Sequence, residues 1–323
     1  MSIKKIKTLA MATSIALFSG AVWSADDSYP SKDINIIVGY SAGGGTDVMA
    51  RTVGSYMEKY LDGAKFVVKN VPGAGGLIGF TQTAKSDPDG YTIGTFNLPG
   101  VMARTHDRKT EYSADSFTYL ANVVNDPNVI VVNKTSDLKS LGDLVNRAKE
   151  TPEGLTVAMS TLGGDDQFTM INLSNKADIN FTYIPFKGTA PARTALMGGH
   201  VDLAAMNLSE AIGFEDEIRV LAVTSAERSP LAPDFPTAKE QGYDFTMGSM
   251  RGIVGPANLP ENVKAKLIEA LEKAYADPEF KKSMTDQGAP LDFVSGDDFQ
   301  KLAQQQDTFA KGVWETTPWS EQN

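Results

Sequence analysis

Twice in this chain an apolar, strand-like run passes through a glycine-rich turn directly into a helix-like stretch. The first copy is Ile34-Asn35-Ile36-Ile37-Val38 leading into Gly39-Tyr40-Ser41-Ala42-Gly43-Gly44-Gly45-Thr46-Asp47. The second is Leu155-Thr156-Val157-Ala158-Met159 leading into Ser160-Thr161-Leu162-Gly163-Gly164-Asp165-Asp166. Glycines let the backbone turn tightly and expose its amides, and the helix start that follows offers unpaired N–H groups and the positive end of a dipole. Two such ends can close on one anion from opposite sides. Strand–glycine–helix turns also serve as plain connections in any α/β fold, so one copy alone decides nothing.

The alternation of short apolar runs with amphipathic stretches continues along the chain, and predicts an α/β fold with largely parallel strands. A helix over residues 46–61, stopped by Gly63, is followed by a strand over 65–69. A third glycine-rich turn, Asn70-Val71-Pro72-Gly73-Ala74-Gly75-Gly76, precedes a helix near 77–85, and a strand over 91–96 ends in Asn97. Two apolar runs between Phe117 and Asn133 are broken by Asn125-Asp126-Pro127, which reads as a crossing between domains. A second unit follows, with a helix capped by Ser140 and Asp143, strands at 181–186 and 219–224, and a helix near 190–197. The segment 245–254 then carries the chain back, and helices over 260–275 and beyond Ser295 complete the first unit. The organisation is domain, inserted domain, return: residues 25–124 with 240–323 as lobe 1, and 125–239 as lobe 2. A cleft between two lobes joined by two crossings is where small ligands bind, and hinge closure is the motion of that design.

The first residues are of a different kind. Lys4, Lys5 and Lys7 precede an apolar, small-residue run from Leu9 to Trp23, the layout of a secretory signal peptide, with cleavage expected after Ser24 and Ala21 or Ala25 as the alternative last residues. Cleavage there removes those three lysines and no acid, taking the formal charge of −10 to about −13. So acidic a chain is not built for nucleic acid, which is held by basic patches. With no cysteine at all, it carries neither a disulfide nor a thiol nucleophile nor a lipidated N-terminal Cys. A freely diffusing periplasmic protein fits these features.

Several catalytic signatures are present only in outline. Gly39-Tyr40-Ser41-Ala42-Gly43 matches the G-x-S-x-G nucleophile elbow and lies between a strand and a helix. It follows the first strand of the mature chain, however, and its base would have to be His106 or His200, the two histidines of the sequence. Gly73-Ala74-Gly75-Gly76-Leu77-Ile78-Gly79 approaches a dinucleotide fingerprint, but Ile78 stands where the third glycine belongs. No glycine loop is followed by a Walker lysine. Two distant histidines without thiols do not make a transition-metal site, and Asp165-Asp166 lacks the alternating oxygen ligands of a calcium loop, reading instead as first-turn helix acids.

Together these residues resemble the extracytoplasmic solute-binding proteins of tripartite tricarboxylate transporters, the Bug family. The likeness spans essentially the whole mature chain. It rests on Tyr29-Pro30, on Gly43-Gly44-Gly45-Thr46-Asp47 with Ala50-Arg51, on Asn70 to Gly76, and on Pro88-Asp89-Gly90-Tyr91-Thr92. Pro185-Phe186-Lys187-Gly188, Gly198-Gly199-His200-Val201-Asp202 and Leu221-Ala222-Val223-Thr224-Ser225 continue it. The resemblance implies a two-lobed Venus flytrap of the type II periplasmic-binding-protein kind, without catalysis, metal or cofactor. It would capture a small organic acid (a di- or tricarboxylate or an aromatic carboxylate) and deliver it, as a monomer, to membrane permease subunits.

The ligand-binding set implied is Tyr40, Ser41, Ala42, Gly43, Gly44, Thr46, Asp47, Ala74, Gly75, Gly76 and Asn97 from the first lobe. Ser160, Thr161, Gly163, Asp166, Gly188, Thr189, Ala190 and Asn207 come from the second, with Arg251 on the return segment. This chain departs from the family pattern at Gly39, often proline, at Asp165-Asp166-Gln167, more usually small residues and a histidine, and at Met250-Arg251-Gly252, where an aromatic residue is common. Arg251 is either a fork for a second carboxylate or a salt bridge at the hinge surface. An exported serine hydrolase using Ser41, and a protein that presents its ligand to a periplasmic sensor, are the alternative functions.

Overall fold

The computed structural model describes residues 29–151 and 154–320, so the expected signal segment 1–24 lies outside the described residues. The chain begins with β1 (Ile34–Val38), α1 (Gly45–Met57), β2 (Phe66–Asn70), α2 (Leu77–Ala84), β3 (Thr92–Leu98) and α3 (Gly100–Asp107). β1 pairs in parallel with β2 on one side and β3 on the other. Ile34, Ile36 and Val38 pack against Met49, Val53 and Met57 of α1. A strand covered by helices reads as a continuous apolar run, which is why β1 shows no alternation.

β4 (Phe117–Asn133) is one strand of 17 residues. The sequence reads there as two runs broken at Asn125-Asp126-Pro127, but the backbone stays extended through the break and only its partners change. From Phe117 to Pro127 β4 pairs antiparallel with β9 (Gly248–Pro256); from Asn128 onward it pairs with β7 (Leu203–Asn207) and β8 (Ile218–Val223). Proline has no N–H for the ladder, so the exchange of partners falls where one rung is already missing.

The second unit runs α4 (Leu141–Glu150), β5 (Thr156–Met159), α5 (Asp165–Ala177), β6 (Thr182–Pro185), α6 (Thr189–Met197), β7, α7 (Leu208–Ala211) and β8. β5 pairs in parallel with β6 and β7, repeating the βαβ logic of the first unit. Cores lie on both faces of this sheet, one around Leu144, Val157 and Leu173 and the other around Ala192, Leu196 and Met206. After β9 the chain adds α8 (Glu261–Ala276), α9 (Pro278–Asp286), β10 (Leu291–Ser295) and α10 (Gly296–Thr316). Val263, Leu267 and Leu271 of α8 join the core of β1 and α1.

The strand order is β2-β1-β3-β9-β4-β7-β5-β6, with β10 and β8 also on β4. The expectation of largely parallel strands holds inside each βαβ unit and fails at the centre. There β9 runs antiparallel to both β3 and β4, because β4 carries the chain out to the second unit and β9 carries it back. Behind the cleft, Ala103 of α3, Phe168 and Ile171 of α5, Ala310 of α10 and Trp319 form a small apolar cluster, with the Phe168 and Trp319 rings 4.9 Å apart.

Candidate ligand-binding cleft

A cavity of about 990 Å³ opens between the two units. Its walls carry the starts of α1 (Gly44, Gly45, Thr46), α5 (Gly164, Asp165) and α6 (Gly188, Thr189, Ala190), together with Gly76 before α2 and Gly100 at the start of α3. The first N–H groups of a helix have no partner within it, so several donor-rich, electropositive ends converge on one space. Tyr40 to Gly44, Thr46, Ala74 to Gly76, Asn97, Ser160, Thr161, Gly188 to Ala190, Asn207 and Arg251 all line this cavity.

Three residues of the expected set stand behind the wall instead: Asp47, Asp166 and Gly163. Each acid folds back onto its own loop. Asp47 Oδ2 accepts from the Gly43 N–H at 2.9 Å, and Asp166 Oδ2 accepts from the Ser160 N–H at 2.9 Å. Asp47 is further held by Arg51 and by Asn70 Nδ2, which also donates to the Tyr40 carbonyl. These bonds hold the Asp47 carboxyl below its ordinary range, although burial works the other way. The Gly163 amide donates to Gln167 Oε1, and Gln167 in turn reaches the Trp319 carbonyl. Both carboxylates fix loop shape and hold those amides away from the cleft.

Arg251, on β9, is 3 % exposed at the crossing. Its Nη2 lies 3.0 Å from Asp126 Oδ2 and donates to Asn207 Oδ1 at 2.9 Å. Asn207 Nδ2 donates onward to Asp165 Oδ2 and Asn128 Oδ1, both at 2.8 Å. Asp126 also accepts from the Ser209 hydroxyl and amide. Arg251 is therefore a buried ion pair that also faces the cavity. Burial pushes Asp126 up to about 6 against the pull of Arg251. Burial raises Asp165 too, and raises Asp166 well above its ordinary value, with the Asp165 charge adding to the effect.

Arg104 was not anticipated. It is 2 % exposed on α3 and reaches across to the second lobe, donating to Thr161 Oγ1 at 3.0 Å and to the Leu162 carbonyl. Gly75, at φ +66°, lies so close that a Cβ there would meet the guanidinium at 2.5 Å. An arginine directly after the apolar stretch Val101-Met102-Ala103 is the signal that sequence reasoning passed over. The far end of the cavity was also missed. Phe186, Arg193, Glu210 and Phe214 line it, with the Arg193 guanidinium 3.7 Å from the Phe214 ring centroid. Thr189 donates to Glu210 Oε2 at 2.9 Å.

Ser41 faces the cavity, but neither histidine does. His106 Nε2 lies 2.8 Å from Asp307 on α10, and His200 follows the end of α6. Among the described residues no group of three His, Cys, Asp or Glu is placed to hold a metal, and no helix is long and apolar enough to cross a membrane.

The protein family described as the tripartite tricarboxylate transporter family receptor matches residues 49–315. The protein BugT of Bordetella pertussis is 31 % identical over 271 residues, covering 81 % of this chain and 82 % of BugT. Two solved structures share the fold closely. MatC from Rhodopseudomonas palustris with bound malate is 28 % identical with a TM-score of 0.81, covering 88 % of this chain and 99 % of that one. R. palustris Rpa4515 with adipate is 27 % identical with a TM-score of 0.83, covering 89 % and 98 %. With its two-lobed architecture and glycine-loop cleft, this chain belongs to the tripartite tricarboxylate transporter receptor family of periplasmic solute-binding proteins.

Proposed function

We propose that the protein captures a small organic carboxylate in the periplasm and delivers it to the membrane subunits of a tripartite tricarboxylate-type transporter. The observation that carries this reading is the convergence of the α1, α5 and α6 starts on one cavity between the lobes. Amides at helix starts hold a carboxylate without a dedicated lysine or arginine. The malate and adipate held by the two related structures supply the ligand class. In this reading residues 1–24 are a signal peptide, lobe 1 is 25–124 with 240–323, lobe 2 is 125–239, and the protein acts as a monomer without cofactor or catalysis.

A thermal-shift screen of the purified protein against an organic-acid library tests capture. A ligand at 100 times its dissociation constant stabilises the native state by about 2.7 kcal/mol. Delivery is tested by uptake of the identified acid in cells lacking either this protein or the permease, both of which are expected to lose transport. Hydrolysis of a carboxylic ester that disappears in Ser41→Ala would replace this reading with an enzymatic one.

A further inference from the structure

Trp319 follows the last helix and is buried where the two lobes meet. Its ring stands edge-on to Phe168 of α5 and beside Trp314 of α10, each at 4.9 Å, with Ala103 of α3 in the same cluster. Helices α3 and α10 belong to the first lobe and α5 to the second, so this one side chain packs on both. A buried indole N–H needs an acceptor. It has Asp107 Oδ2 of α3, at 3.1 Å.

Two chains of hydrogen bonds leave Trp319 and end on the same loop. One starts from its backbone: the Trp319 carbonyl accepts from Gln167 Nε2 at 3.2 Å, and Gln167 Oε1 accepts from the Gly163 N–H at 2.6 Å. The other starts from its ring. The indole holds Asp107, Asp107 lies 3.5 Å from Arg104 Nη1, and Arg104 donates to Thr161 Oγ1 at 3.0 Å and to the Leu162 carbonyl. Thr161, Leu162 and Gly163 are consecutive residues of the second glycine cradle, of which Ser160, Thr161 and Gly164 line the cavity. Gly163, at φ +62°, brings the two chains together: a Cβ there would meet Trp319 Nε1 at 2.6 Å and Arg104 Nη1 at 2.9 Å. The first cradle is held differently. Its brace, made of Asp47, Arg51 and Asn70, comes from its own βαβ unit, whereas the second cradle takes part of its hold from the other lobe.

We infer that Trp319 is a positioning residue for ligand capture, and that the segment following α10 is a clasp which sets the shape of the second cradle from behind. Parting the lobes separates α5 from α3 and α10 and breaks both chains at once. The cradle is therefore fully braced only when the lobes are together. The hold on a captured acid rests on the carboxylate-capture reading; the clasp itself does not.

The test is hydrogen exchange on three ligand-free proteins: wild type, Trp319→Phe, and a chain ended at Pro318. The phenylalanine keeps a ring on Phe168 and the backbone carbonyl but cannot donate to Asp107, which retains Arg104 and Arg108. It carries the test should the shortened chain fail to fold. Amides of residues 160–167 are expected to exchange about tenfold faster in the shortened chain and by an intermediate factor in Trp319→Phe, with β1 and β5 unchanged. Stopped-flow measurements with L-malate and with adipate should show dissociation about tenfold faster in the shortened chain and association nearly unchanged. Equal exchange over residues 160–167 in all three proteins would overturn the inference, whether or not an acid binds. So would faster exchange spread evenly over the chain, which is what lost packing alone produces, or unchanged dissociation of a bound acid. If wild type binds neither acid, the capture reading is weakened, and faster exchange confined to the cradle still upholds the clasp.

Discussion

The Arg251 guanidinium stands 3.0 Å from the Asp126 carboxylate at the point where β4 leaves one sheet for the other, with the two side chains 4 % and 0 % exposed. A buried pair of this kind gains little over an apolar pair of the same shape, but removing one partner strands the other charge. Arg251→Ala should therefore destabilise the fold by about 3–5 kcal/mol, and adding Asp126→Asn should recover part of that loss. Urea denaturation of the single and double variants checks this; a single-variant loss within experimental error would show that the pair is not coupled to folding.

Gly44 precedes the first turn of α1 at φ −82° and ψ 165°, a conformation open to any residue, and a Cβ there meets only the Ser41 carbonyl at 3.7 Å. Gly44→Val should fold with nearly unchanged melting temperature. Its branched side chain would stand in the space that an anion must enter to reach the α1 amides. The expected loss of affinity is about a hundredfold or more, equivalent to about 2.8 kcal/mol. Undiminished affinity by calorimetry would take this loop out of the site.

Arg104 joins α3 of the first lobe to the Thr161-Leu162 loop of the second, so it favours the closed arrangement. Arg104→Gln should raise the ligand dissociation rate by about tenfold with little change in association, because related complexes differ mostly in dissociation. The ligand-free variant should also show a larger radius of gyration by small-angle scattering. Identical dissociation rates in stopped-flow measurements would leave Arg104 with a purely local role.

Stability should be greatest in mild acid. Asp126 titrates at about 6 in the fold against an ordinary 3.8, and burial raises Asp165 and Asp166 as well. Between those values the native state holds protons that the unfolded chain has lost, so stability falls as the pH rises through about 4 to 6. Asp47, whose bonds lower it, works in the opposite sense and gives up its contribution only below about pH 4. The melting temperature should be higher at pH 5 than at pH 7, and Asp126→Asn should narrow the gap. A higher value at pH 7 would contradict this account.

The glycine loops were legible because their chemistry is that of the backbone: Gly43 and Gly163, at φ +83° and +62°, hold the left-handed turns that other residues seldom adopt. The direction of a short side chain is not encoded in spacing, which is why Asp47 and Asp166 read as ligand contacts. Their places, third in α1 and second in α5, do point to a shared duty of holding the preceding loop. Arg104 escaped because α3 is only 8 residues long and its periodicity is weak. β4 escaped because Pro127 looks like a break in any local window. Its extended course depends on β9, β7 and β8, which are remote in sequence.

The pairing of β3 with β9 joins Gly94 to Val254 and Leu98 to Met250. A polypeptide made N-terminus first exposes the β3 edge long before its partner arrives. The whole second unit must pass before β9 can dock, and α8 only afterwards completes the apolar packing over β1. Loop closure over such a distance makes the first-lobe sheet a late product of folding. Until then its unpaired β3 edge is the place where a newly made chain is most exposed to association with its neighbours, and where a chaperone would have most to protect.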